Sequence, residues 1–362
     1  MEFATDYKSI LQRIDKIDPV KYGITRNFVN GAVTSLSPYI SRGVISTRQV
    51  LKSVVEKGYK IAQIESFVKE LCWRDYFQRV GQVKDLNREI KQPQQLVLND
   101  EIPVQILNAT TAIEGIDNAI THLYKSGYMH NHCRMYTASL VCNIAKSHWY
   151  HPAQWMYYHL LDGDWASNAC SWQWVTGANS NKKYYANQEN INKYTHTNQV
   201  NTYLDKSYEA IELIETPAQL LVTQKFIPKM DLPVASNIKI DAVLPTFIYN
   251  YYNLDPLWHK DEPGNRILLI EPDFFSHYPI SKNCMDFMLA LSKNIPGMEV
   301  YKGSFKSFSD NYNVENIYYK EHPLNVGYCG TKEARDWISQ EITGYNPSFF
   351  SYWKKVEKQL YK

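Results

Sequence analysis

The sequence predicts a mainly helical domain followed by a small α/β domain, and three observations carry that expectation. From the start to about residue 210, apolar residues recur at three- and four-residue spacing, as in "DYKSILQRIDKI", "STRQVLKSVVEKGYKIAQIESFVKELCWRDYFQRVGQV", "TAIEGIDNAITHLYKSG" and "NHCRMYTASLVCNIAKSH", which is the period of amphipathic helices. After "QVNTYLDKSYEAIELIETPAQLLV" come short apolar or β-branched runs bounded by Pro, Gly and Asn: "KIDAVLPTFIYNYYNL", "NRILLIEPDF", "MEVYKGSF" and "ENIYYKEHPL". Those are strand candidates. Between them, "ISKNCMDFMLALSKNI" and "TKEARDWISQEI" have helical period, and strands alternating with helices point to a parallel sheet. The boundary is expected between residues 205 and 235, giving a helical domain over 1–215 and an α/β domain over 235–362. Ser46-Thr47 and Ser37-Pro38 supply helix starts, and Gly43 and Gly127 supply stops.

The composition narrows the functional classes. Hydrophobic residues at 44% and charged residues at 21% are ordinary for a globular chain, while 28 Tyr and 9 Trp make it rich in aromatics; disorder and coiled coil are excluded on that basis. The net charge of +2, from 39 basic and 37 acidic residues, does not announce a nucleic-acid binder, although a local basic groove stays open. "MEFATDYKSILQRIDKID" lacks a cationic start leading into an apolar run, and no window reaches about 18 uninterrupted apolar residues. A cytoplasmic protein without a membrane span is expected. Cys72, Cys133, Cys142, Cys170, Cys284 and Cys329 show no CxxC spacing and no histidines at zinc-ligand distances, so reduced, mostly buried thiols and no metal are expected.

Four constellations could carry chemistry. In "VTSLSPYISRGVISTRQV", Thr34, Ser35 and Ser37 gather hydroxyl and backbone donors at a helix start, where partial positive charge favours phosphate; a plain capped turn reads the same way. In "ELCWRDYFQRV", Glu70, Trp73 and Arg74 stand at i, i+3 and i+4, so one helical face shows a carboxylate, an indole and a guanidinium. In "MHNHCRMYTASLVCNIAKSHW", Asn131, Arg134 and Met135 repeat that geometry with an amide, a cation and a soft apolar group. In "LLDGDWASNACSWQWVTGANSNKKYY", Asp162 and Asp164 are expected to point different ways on a helix and so not to form an acid–base dyad. A carboxylate there beside Arg74 or Arg134 would stay ionised and accept hydrogen bonds from a heterocycle. The indoles of Trp172 and Trp174 read equally as core, stacking surface or electron path.

Taken together, "KYGITRNF", "TSLSPYISRGVIS", "ELCWRDYF", "HNHCRMYTASL" and "LLDGDWASNACSWQW" resemble, in order and spacing across the first 195 residues, the flavin-binding domain of the cryptochrome and photolyase family. The resemblance implies FAD as cofactor. It implies that Tyr22 packs on FAD and that Thr34, Ser35, Leu36 and Ser37 hold its pyrophosphate, with Arg74, Asn131 and Arg134 clasping it. Arg134 would pair with Asp162 beside flavin N5, Asp164 would bond the ring and ribose side, and Asn168 would sit at N5. Trp172 would be the electron donor nearest the flavin and Trp149 the second. The family's third tryptophan is missing from its expected place, since "DEIPVQILNATTAIEG" holds none, and Tyr124, Tyr128 or another tryptophan is a candidate substitute.

The resemblance also implies a substrate, a pyrimidine dimer flipped out of UV-damaged DNA. Trp73 and Trp174 match its two aromatic walls, Glu70 the carboxyl that bonds the damaged base, Asn131 a neighbouring polar group and Met135 the apolar wall. Enzymes for the (6-4) lesion place histidine where this chain has Met135, so the cyclobutane dimer is expected, by a monomeric repair lyase. A cryptochrome-type photoreceptor and a (6-4) photolyase are the alternatives. Two departures stand out. The flavin-domain motifs start near Met1, where family photolyases carry an antenna domain, and an α/β segment follows that could be antenna-like. The usual segment after the tryptophans is replaced by "YYANQENINKY", with Ala186 where a DNA-contacting arginine is usual. Arg26, Lys182 and Lys183 are then the candidates for phosphate contacts.

Overall fold

The computed structural model describes residues 3–236 and 238–361. Along the chain, α1 (Tyr7–Asp15) and α2 (Pro19–Thr25) are capped by the carboxylates of Asp6 and Asp18, which accept otherwise orphaned first-turn N–H groups. Then come α3 (Ser37–Ser41), α4 (Thr47–Glu56), capped by Ser46, and α5 (Glu65–Gly81). A short strand β1 (Ile102–Pro103) precedes α6 (Val104–Leu107) and α7 (Glu114–Ser126). Gly127, at φ +69°, closes α7 in the left-handed conformation that glycine adopts without a Cβ penalty. Helix α8 (Asn131–Ser139) runs on into a π-helical turn, Leu140–Ile144, and is followed by α9 (Tyr150–His159), α10 (Trp165–Thr176), α11 (Gln188–Thr195) and α12 (Tyr208–Glu212). Strand β2 (Thr223–Gln224) pairs antiparallel with β1.

The remaining elements are β3 (Thr246–Tyr249), β4 (Asn265–Ile270), α13 (Pro272–His277), α14 (Lys282–Ser292), β5 (Met298–Lys302), α15 (Phe305–Tyr312), β6 (Ile317–Lys320), β7 (Thr331–Glu333) and α16 (Phe349–Leu360). Strands β3 to β7 form one parallel sheet in the order β5-β4-β3-β6-β7. Ile248, Ile267 and Leu269 pack there with Phe305 and Phe308 of α15, as expected of a sheet covered by crossover helices. The four strands expected from the apolar runs are all present, as is α14. "TKEARDWISQEI", expected to be helical, instead begins with β7 and continues without helix to residue 342. Trp337 is buried there between the guanidinium groups of Arg79 and Arg335, 3.8 and 4.3 Å from its ring, and Ile338 donates its N–H to Asp75. Those contacts from distant segments outweigh a weak local period.

By density of contacts the chain forms two compact units, each discontinuous in sequence. The first takes the described residues of 18–33 and 83–228; the second takes those of 2–17, 34–82 and 229–362. Within the second unit, strand order reverses between β3 and β6, the position where open α/β sheets form a crevice at their carboxyl ends. Here the chain's own side chains fill it. Arg42, fully buried, lies 3.3 Å from the ring centroid of Tyr251, and His322 stacks on Tyr252 at 4.0 Å and 10°. Gly43, at φ +65°, permits this approach, because a Cβ would stand 2.4 Å from the carbonyl oxygen of Tyr252. Among the described residues no helix is long and apolar enough to cross a membrane.

The start of α8 makes the first unit sensitive to acid. His130 caps the helix, its Nδ1 accepting the N–H of His132 at 3.2 Å. Burial, reinforced by the charges of His132 and Arg134, holds His130 down at about 4, against 6.5 for a free histidine. Between those values the unfolded chain takes up a proton that the folded chain refuses, so this contribution is complete above pH 6.5 and fades as the pH falls towards 4, by roughly 3 kcal/mol in all. Thermal unfolding midpoints should therefore drop between pH 7 and pH 4.5. His130→Asn, which keeps an acceptor for the cap, should flatten that slope; an unchanged slope rejects His130 as a source.

Candidate functional site

In the second unit, the segment from Thr34 to Ser37 enters α3 through a strained residue. Ser35 has φ +52° and is 5% exposed, and its Oγ has no hydrogen-bond partner. A left-handed non-glycine residue costs about 1–3 kcal/mol, and a buried unpaired hydroxyl costs about 1–3 kcal/mol more. Both costs are explained if an anionic group accepts that hydroxyl proton. Leu36 is buried, and its N–H meets Thr34 Oγ1 at 3.4 Å. Ser37 is the first residue of α3, and Ser41, the last, accepts a hydrogen bond from the guanidinium of Arg74 on α5. Arg74 and the hydroxyl-rich turn are thus linked through one short helix.

On α5 the expected face is helical: Glu70, Trp73 and Arg74 are all partly exposed. Trp73 stacks on Phe349, the first residue of α16, with centroids 3.7 Å apart and planes at 9°. One face of this indole is therefore already in use. Neither Phe349 nor α16 was anticipated, although Ser348 before an aromatic run, "SFFSYW", is a helix-start signal.

In the first unit, Tyr22 lies on α2, and Arg26 follows its last turn. Asn131 opens α8 on the exposed side, with Arg134 and Met135 partly exposed beyond it. Arg134 Nη2 contacts both oxygens of Asp162 at 3.0 and 2.8 Å, and its Nε donates to the carbonyl of Met129 at 2.8 Å. Asp162 and Asp164 do not share a helix, contrary to expectation. They sit in the turn before α10, because Asp164 is that helix's N-cap, accepting the N–H of Ser167 at 2.7 Å. Asn168, one turn into α10, donates from Nδ2 to the carbonyl of Ala153 at 2.8 Å, which fixes the orientation of its amide.

The indoles divide by environment. Trp165 and Trp172 are buried, and Trp174 is exposed and tilted against Tyr184 at 5.6 Å. Trp149 is wholly buried at the start of α9; its backbone N–H goes to Gln94 Oε1 at 2.9 Å, and its indole N–H to Glu89 Oε1 at 3.3 Å. His148 Nε2 meets the same oxygen at 2.8 Å. The polar stretch "NREIKQPQQ" supplies these partners and carries no motif that marks them in the sequence. Lys182 is exposed, whereas Lys183 donates to the carbonyl of Gln95 at 2.9 Å. A cavity of about 240 Å³ in this unit is lined by His122, Tyr128, Met129, His130 and Cys133 among others.

Each unit by itself holds groups of the kind that bind a dinucleotide: the second has the strained hydroxyl turn and Arg74, and the first has the Arg134–Asp162 ion pair and the oriented amide of Asn168. Ser35→Ala separates binding from stability. The apoprotein should melt no lower than wild type, because the unpaired hydroxyl is gone. FAD affinity, read by retained flavin absorbance, should fall by about tenfold or more, the worth of a hydrogen bond to a charged group. Equal flavin retention by both proteins rejects the assignment.

Residues 67–218 match the family described as the FAD binding domain of DNA photolyase. A deoxyribodipyrimidine photo-lyase of Alkalihalophilus pseudofirmus is 30% identical over 173 residues, which cover 45% of this chain and 36% of the relative. A chloroplastic/mitochondrial cryptochrome DASH of Ostreococcus tauri is 27% identical over 225 residues, 58% of this chain and 39% of its own. Among solved structures, a cryptochrome of Synechocystis sp. aligns over 54% of this chain and 44% of its own, at 22% identity and a TM-score of 0.44. The chain spans about a third of the length of the curated relatives it matches. It combines a photolyase-like helical domain, whose cofactor is FAD, with a parallel-sheet α/β domain. Over residues 67–218 the chain is thus similar to the FAD binding domain of DNA photolyase, and the relatives it matches include photo-lyases and a cryptochrome.

Proposed function

We propose that this protein is a light-dependent DNA-repair lyase, a cytoplasmic monomer that splits cyclobutane pyrimidine dimers in UV-damaged DNA by electron transfer. Residues 1–215 would form its cofactor domain and 235–362 a second domain. The observation that carries the reading is Trp174: it is 41% exposed on α10, where Trp165 and Trp172 are each 2% exposed. An indole left in water along an otherwise buried helix suits a stacking surface, and stacking on an aromatic is worth roughly 1–3 kcal/mol per base. The relatives named deoxyribodipyrimidine photo-lyase support the same reading.

Bound FAD supplies the light absorption and the electron. The protein's residues bind, orient and shield. Thr34, Ser35, Leu36, Ser37 and Arg74 take the pyrophosphate, and Tyr22, Asn131, Arg134, Asp162, Asp164 and Asn168 take the rest of the cofactor. With Nδ2 of Asn168 committed to Ala153, its carbonyl end is the one that meets a ring N–H. Trp73 and Trp174 serve as stacking surfaces, and Glu70 hydrogen-bonds the damaged base as charge develops on it. Met135, apolar and without a proton to give, favours the cyclobutane lesion over the (6-4) lesion. Arg26 and Lys182 remain suited to phosphate contacts; Lys183 is partly committed to Gln95.

A second reading, a cryptochrome-type photoreceptor without repair, is favoured by the stack of Phe349 on Trp73. Blue-light treatment of a thymine-dimer oligonucleotide by the fully reduced holoprotein, with a (6-4) oligonucleotide in parallel, should repair the first and spare the second. Trp174→Ala should weaken dimer binding by about tenfold to a hundredfold with flavin content unchanged; loss of flavin instead rejects the assignment of Trp174. If Phe349 backs Trp73, Phe349→Ala should weaken dimer binding by about three- to tenfold, the worth of an aromatic pair. Repair of neither lesion by the fully reduced native protein rejects the repair reading and favours the receptor.

A further inference from the structure

Resting on that photochemical reading, we propose that Glu89 is the proton acceptor for oxidised Trp149, so that the electron relay of this chain ends by releasing a proton at a buried indole. Trp149 has no exposure to water, and the stretch where the family carries its third tryptophan, "DEIPVQILNATTAIEG", holds none. A positive charge left on its ring is therefore in a poorly solvated place, where charge is costly unless paired or neutralised. Its indole N–H points at a base. Glu89 Oε1 lies 3.3 Å from Trp149 Nε1, at the outer edge of the range for proton transfer, which commonly tightens when the reaction proceeds.

The neighbouring histidine keeps that base ready. His148 Nδ1 accepts the N–H of Tyr150 at 3.3 Å, so its proton sits on Nε2 and is donated to Glu89 Oε1 at 2.8 Å. Burial acts to raise the Glu89 carboxyl, but hydrogen bonds from His148, from its own backbone and from the Trp149 indole outweigh it and leave the group below its usual range. The side chain is 28% exposed, which gives the proton a way out to water. Trp165 supplies an internal comparison. Its ring lies 6.4 Å from that of Trp149 at 29°, and its own N–H goes to the side-chain oxygen of Asn87 at 3.0 Å. An amide oxygen accepts a hydrogen bond but is too weak a base to keep the proton. Of these two adjacent indoles, Trp149 is the one built to lose both charges.

The step balances. Trp149 would lose one electron by way of Trp172, for which bound oxidised FAD would serve as the one-electron acceptor. The Trp149 N–H bond then breaks, an O–H bond forms on Glu89, and a neutral indolyl radical remains. The proton cannot return while the carboxylic acid exchanges with water, so the charge separation lasts.

Flash excitation of the holoprotein with oxidised FAD, followed by transient absorption, tests this. Wild type should convert a tryptophan radical cation to the neutral radical, and more slowly in D2O. Glu89→Gln should slow that conversion by about a hundredfold and shorten the life of the separated charges, with flavin content unchanged. Asn87→Ala should leave the rate as it is. Trp149→Phe should remove the neutral radical. A Glu89→Gln protein that deprotonates at the wild-type rate, or a wild type without a solvent isotope effect, overturns the role of Glu89. The absence of any tryptophan radical in wild type overturns it differently, by removing the relay itself.

Discussion

The second unit depends on one buried carboxylate. Asp75, on the inner side of α5, accepts the hydroxyl of Thr47 from α4 at 2.7 Å and the N–H of Ile338 at 2.9 Å, so it ties together stretches more than 250 residues apart in sequence. Burial pushes this carboxyl up to about 6, opposed by the two hydrogen bonds and by the charges of Arg335 and Arg79. A buried carboxylate without those partners would be expelled or neutralised. The partners in turn set the path of the chain beyond β7, with Trp337 held between the two arginines. The outer face of α5, bearing Glu70, Trp73 and Arg74, is positioned by what Asp75 holds on the inner one.

The first unit uses a similar device closer to the chemistry. Arg134 is satisfied by Asp162 and by the carbonyl of Met129, so its guanidinium is held in one orientation by a carboxylate and a backbone oxygen together. Asp164 spends one oxygen on the start of α10, and Asn168 spends its amide nitrogen on α9. Groups that must be rigid to recognise a cofactor are thus locked by backbone contacts first.

Helix positions and caps were legible because they rest on local physics. Ser46 and Gly127 act where their residue types say they should, and the i, i+3, i+4 faces of α5 and α8 are present. The five motifs also pointed to the FAD binding domain that residues 67–218 match. What escaped reading depends on partners far along the chain. β7 looked like a helix because its local period is helical, while an open edge beside β6 offered it pairing. Phe349, Glu89 and Gln94 carry no local signature; each matters through an indole it reaches, from 55 to 276 residues away. The placement of Asp162 and Asp164 was misjudged because a helix was assumed to begin before its own cap.

By itself the sequence determined the helical and parallel-sheet classes, the likeness to a photolyase FAD binding domain and the residue types available to hold a cofactor. These follow from periodicity and from ordered motifs, which act over a few turns of chain. Tertiary structure decided which of those groups are spent and which are left over. Desolvation did the sorting, because a polar or aromatic group is committed only when a partner arrives to replace water. Ser35 was left unpaired, Lys183 was tied down and Trp73 was covered on one side. Trp174 was left in the solvent, and Trp149 was sealed in beside a carboxylate.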